Sequence, residues 1–119
     1  MKTAVSLTTA SPPSSCVDDG LVRDGLRWLV ADQHEDGGFG DAAGCPSNIS
    51  TTTLAWATLS MHGSSGVAHA EAWLSERVGE LTTESIAKAI SDAYGEDRTF
   101  SIPILTHCAL AGRIGWEHI

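Results

Sequence analysis

Three pairs of neighbouring carboxylates, Asp18–Asp19, Glu35–Asp36 and Glu96–Asp97, are the residues of this chain best suited to acid–base work. A carboxyl group donates a proton near neutral pH only when burial or a nearby like charge holds that proton on. The surroundings of these pairs predict other roles. Asp18–Asp19 precedes an apolar helical pattern, where an acidic side chain caps the first turn. Glu35–Asp36 lies in a glycine-rich loop, and Glu96–Asp97 in a loop before a further helix. No general acid is visible among them.

Metal chemistry has one set of candidates. His107 and Cys108 are adjacent, and Asp41 and Cys45 share the glycine-rich loop, so a composite zinc site can be drawn from these four. Neighbours on a helix point about 100° apart, however, which makes joint ligation by His107 and Cys108 awkward. The expectation is a packed Cys108 behaving as a small hydrophobe and a surface or hydrogen-bonded His107, with no metal and no cofactor. The three cysteines, Cys16, Cys45 and Cys108, are odd in number and lack CxxC spacing. They fit neither a disulfide framework nor a structural zinc site, and point to a reducing cytoplasm.

The elements that must position these residues follow from apolar spacing. Val22, Leu26 and Leu29, joined by Leu21, Trp28 and Val30, predict an amphipathic helix with a broad buried face from about Asp18 to Gln33. Residues 34–48 hold four glycines and a proline and are read as loop. The stretch "ISTTTLAWATLSM" predicts a second helix over about Ile49 to His62, apolar on nearly every side and buried all round. The hydroxyls of Thr51, Thr52 and Thr53 are expected to bond back to the preceding turn. Val67, Ala70, Leu74 and Val78 mark a third helix ending near Gly79. A fourth is capped by Thr82 or Thr83, with Ile86, Ala89, Ile90 and Ala93 as its stripe. A fifth starts near Phe100, with Pro103 in its first turn, and runs to Gly112. Period-2 alternation is missing, so the fold class is all-α: about five helices in antiparallel pairs.

Composition narrows the partners. The chain has 119 residues, 42% of them hydrophobic and 18% charged, which suits one globular domain over 18–119. Residues 1–17, with Pro12 and Pro13 among serines, are read as a disordered tail. A net charge of −8 with only seven Lys plus Arg excludes the basic footprint of a nucleic-acid binder. The longest apolar runs, "LAWATL" and "IPIL", fall far short of the roughly 20 residues a transmembrane helix needs. Contact with a membrane, if made, is peripheral.

The segment "DGLRWLVADQHEDGGFGD" resembles the QW repeat of the squalene-hopene cyclase, oxidosqualene cyclase and prenyltransferase superfamily. Gly25, Trp28, Leu29, Gln33, Gly37 and Phe39 match its spacing. Asp24 stands where the repeat has a basic residue, and Phe39 replaces its terminal tryptophan. "SNISTTTLAWATLSMHG" is similar to the helix that follows in that family, and "YGEDRTFSIPILTHCALAGRIGW" to a further inner helix of its N-terminal half. The similarity covers roughly residues 20–116.

That resemblance implies a partial α/α toroid. Gln33, carrying both donor and acceptor atoms, would fasten backbone groups at a neighbouring helix end, with Phe39 covering its amide plane and Gly37 and Gly38 allowing close approach. It further implies an apolar cavity for an isoprenoid or triterpene ligand, with Trp56 and Phe100 as lining residues and Trp28 and Trp73 as packing residues. The family's class II cyclases protonate their substrate with a DxDD acid, and this sequence has none. A closed ring also needs more than five helices. The implied role is one wall of a cavity, not catalytic alone, completed by self-association or by a ring-completing protein. The alternative is a non-enzymatic helical module that self-associates or binds a protein partner; zinc-dependent prenyl transfer comes third.

Overall fold

The computed structural model describes residues 19–119. The tail assigned to residues 1–17 and the cap assigned to Asp18 lie outside them. Five α-helices and a short 3-10 turn follow in order: α1 Asp19–Asp32, α2 Ile49–Met61, α3 Val67–Val78, α4 Thr83–Tyr94, α5 Arg98–Leu110 and the turn Trp116–His118. Among the described residues there is no strand, so the chain is all-α.

The described residues divide into two units, with the boundary between Ala31 and Asp32. In the first, α1 forms where the apolar spacing placed it, but none of its residues is buried. Val22, Leu26, Leu29 and Val30 are half-buried, while Leu21 and Trp28 are 70% and 66% exposed. The broad buried face expected of this helix, and the packing role expected of Trp28, are therefore corrected. Six apolar side chains wrap more than one side of a single helix.

The second unit is built on α2, which packs on α3, α4 and α5; α3 also meets α4, and α4 packs on α5. Successive helices joined by short turns form the antiparallel pairs. Caps set the starts. Asn48 accepts from the Thr51 N–H at 2.9 Å before α2. Thr82 and Ser85 form a reciprocal capping box at α4, settling the choice between Thr82 and Thr83. Asp97 accepts from the Thr99 N–H at 2.9 Å before α5.

Because α5 starts at Arg98, Pro103 sits beyond the first turn, inside the helix. The expectation that its missing N–H costs nothing is corrected: an interior proline removes the bond back to residue 99. On α4 the stripe is also shifted, since Ala87 is buried with Ile86 and Ile90 while Ala93 is exposed. The core joins Trp56 and Ala57 of α2, Ala70, Trp73 and Leu74 of α3, Ile86 and Ile90 of α4, and Ile104, Leu105 and Cys108 of α5. Burying such side chains stabilises the unit by about 1.5–3 kcal/mol each for the larger aliphatics. α2 is enclosed on most sides, yet Met61 remains 47% exposed, so its burial is incomplete at the C-terminal end.

Candidate functional site

The loop between α1 and α2 is where the residues singled out by spacing converge. Gln33, half-buried, donates from Nε2 to the Gly37 carbonyl at 2.9 Å and to the Gly66 carbonyl at 3.0 Å, the second across 33 residues of sequence. Gly66 is the N-cap of α3, and its carbonyl also accepts the Ala70 N–H. Gln33 thus takes the second lone pair of a carbonyl already engaged by the helix.

The same loop turns tightly. Gly37 N–H donates to His34 O and His34 N–H to Gly38 O, both at 2.9 Å. Gly37 has φ +95°, and a Cβ there would stand 2.2 Å from the backbone oxygen of His69 on α3. Only glycine permits both. Phe39 is buried, and its backbone docks on α2: its N–H donates to Thr52 Oγ1 at 2.8 Å, and its carbonyl accepts the Asn48 N–H at 3.0 Å.

Asp36, Ser47 and His34 form a chain that superficially suggests a nucleophilic serine. Ser47 Oγ donates to Asp36 Oδ1 at 2.9 Å, so the contact of His34 Nδ1 with Ser47 Oγ at 2.8 Å needs the imidazole as donor. The order is Asp–Ser–His. The serine hydroxyl donates to a weakly basic carboxylate and not to an imidazole, so the arrangement braces the loop without activating a nucleophile.

The carboxylates behave as acceptors. The Gly38 N–H, outweighing the opposing effect of burial and aided by the Ser47 hydroxyl and the His34 charge, holds Asp36 below its usual range. The Thr51 hydroxyl and then Asn48 do the same for Asp41, and the Thr99 backbone N–H for Asp97. A general acid requires the opposite shift. Asp19 is the first residue of α1.

The zinc candidates are not assembled: among the described residues no three His, Cys, Asp or Glu side chains gather as a ligand set. Cys108 is fully buried, and burial pushes its thiol up to about 11. Adjacent His107 instead meets Thr58 Oγ1 of α2 through Nε2 at 2.9 Å. Cys45 is exposed.

The threonine run also differs from expectation. Thr51 bonds Asp41, Thr52 bonds Phe39, and Thr53 Oγ1 is buried with no hydrogen-bond partner among the described residues; it is Thr58 that bonds back, to Leu54 O at 3.1 Å. The first two turn toward the loop because it offers partners there, the Asp41 carboxylate for Thr51 and the Phe39 backbone for Thr52.

Of the remaining positions, Gly25 lies exposed within α1 with open space around it, and Leu29 is half-buried on the same helix. Trp73 is buried in the core. Trp56 is 4% exposed, donates its indole N–H to Glu71 Oε2 at 3.0 Å, and borders an open groove of about 470 Å³. Phe100 does not line that groove. It stands 58% exposed on α5, its ring 5.9 Å from that of Tyr94. The groove also holds Glu71, Ser75, Leu81, Thr83 and Arg113, of which Glu71 and Arg113 carried no sequence signal. Asn48 and Ser47, by contrast, stand just before an apolar helical run, the position where capping residues are sought.

Comparison with family models, curated proteins and solved structures returns no match for this chain.

Proposed function

We propose that this chain is a partial α/α toroid of the squalene-hopene cyclase and prenyltransferase type. It contributes one wall to an apolar isoprenoid cavity and is not catalytic alone. The observation that carries this reading is the Gln33 amide, which reaches Gly66 at the head of α3 from the motif that suggested the resemblance. A supporting observation is the outer side of α5. After Arg98 this helix has no Asp, Glu, Lys or Arg, and Phe100, Ile102 and Leu110 are exposed. No helix among the described residues is long and apolar enough to cross a membrane. An isoprenoid, or a membrane surface touched peripherally by a cytoplasmic protein, would meet the chain through that side of α5.

The general acid comes from elsewhere on this reading, because the sequence has no DxDD and the hydrogen bonds of Asp36 and Asp97 lower their carboxyls, the opposite of what a proton donor needs. The second reading, a non-enzymatic module that binds a second copy or another protein, is favoured by the same exposed apolar groups together with Trp116, 58% exposed.

Light scattering combined with equilibrium binding of squalene and geranylgeranyl diphosphate separates the two. Saturable isoprenoid binding that Phe100→Asp and Leu110→Asp abolish is the expected result. Self-association abolished by those substitutions, with no isoprenoid bound, sinks the cavity-wall reading in favour of the module.

A further inference from the structure

Glu71 of α3 is half-buried, and its Oε2 is fixed by the Trp56 indole N–H. Among the described residues no Lys, Arg or His lies within ion-pair distance of it. A partly desolvated carboxylate with one neutral donor has unused acceptor capacity, and a cation placed against it recovers the lost hydration. Arg113, just past α5, borders the same groove and is likewise without an ion-pair partner among the described residues. Two opposite charges thus share one recess without neutralising each other by contact.

We propose that this groove binds a small zwitterion, its ammonium group on Glu71 and its carboxylate on Arg113. About 470 Å³ falls within the range of small-molecule sites, which run from roughly 300 to 1,000 Å³. Leu81 and Trp56, which also line the groove, supply apolar contact for a short methylene chain. The net charge of −8 draws cations toward the surface, and Arg113 selects, among small amines, those that also carry an anion. The groove shares Trp56 with the cavity that the resemblance implies, but holds none of the exposed residues of α5, so the α5 substitutions that test the isoprenoid reading leave this site untouched.

The reporter is the Trp56 indole N–H itself, followed in nitrogen–proton correlation spectra of the whole chain. Glycine, β-alanine and γ-aminobutyrate are titrated to millimolar concentration, beside propylamine and propionate, which carry one charge each. The expected result is a saturable shift of the Trp56 indole resonance with at least one amino acid, at concentrations where propylamine and propionate give none. Glu71→Gln, which keeps an oxygen for the indole, should weaken that binding about tenfold or more, the effect of losing one charge-assisted hydrogen bond. Arg113→Ala should bring the amino acid down to the level of propylamine. No saturable shift with any of the three, equal binding by propylamine, or unaltered binding in Glu71→Gln overturns the proposal. Should Glu71→Gln fail to fold, the exposed Arg113→Glu decides: amino-acid binding that survives it refutes the assignment.

Discussion

Replacing Gly37 by alanine tests the close approach between the glycine loop and α3, with Gly44→Ala as its control. Both glycines have positive φ, +95° and +84°, so both substitutions incur left-handed strain of about 1–2 kcal/mol. Their surroundings differ. A Cβ on Gly44 meets nothing within 4 Å, whereas one on Gly37 stands 2.2 Å from His69 O and 2.9 Å from His69 C, both backbone atoms of α3. Relieving that overlap means moving the loop or the helix by about an ångström, and overpacking of this kind costs about 1–3 kcal/mol. Gly37→Ala should therefore be less stable than Gly44→Ala by about 2 kcal/mol, a Tm lower by roughly 10 °C. Urea unfolding followed by both tryptophan fluorescence and circular dichroism measures the difference, and coincidence of the two transitions confirms that one free energy describes it. Equal stability of the two variants would refute the contact between residue 37 and α3.

Two further perturbations read the buried polar groups. Thr52→Val removes the acceptor for the Phe39 N–H and should cost about 1–3 kcal/mol, whereas Thr53→Val replaces a buried hydroxyl with no partner and should be neutral or slightly stabilising; the reverse order in urea midpoints contradicts the loop docking. In a Cys16→Ser background, exposed Cys45 should react with a thiol reagent in the native protein and buried Cys108 only on unfolding. The Cys108 thiol is pushed up from 9.0 to about 11 by burial, so the unfolded chain gives up that proton first. Its contribution is complete below pH 9 and is lost as pH rises through 11. The alkaline fall in stability should accordingly be shallower in Cys108→Ala, and an unchanged slope refutes the burial argument.

The helices were legible because their cause is local and repeated. Apolar residues three and four apart in α3 and α4, and a capping hydroxyl before α4, announce themselves within a few residues of sequence. The start of α5 was not legible, because Asp97 reads in the sequence as a loop residue and not as a cap. α5 begins at Arg98 because Asp97 captures the Thr99 N–H, which moves Pro103 into the helix interior. The loop was legible as a loop, and Gln33 only as a side chain with both donor and acceptor atoms. Its partner at Gly66 was not, since nothing near Gly66 marks which side chain approaches it.

Sequence alone determined that the fold is all-α and that the chain is acidic and lacks a DxDD run, because composition and periodicity act through short-range sterics and bulk charge. Tertiary structure decided which polar groups meet: Thr52 with Phe39, Trp56 with Glu71, His107 with Thr58, and a groove holding Glu71 with Arg113. Those meetings depend on how packed helices bring distant residues within about 3 Å, a distance at which a one-residue change of register exchanges one partner for another.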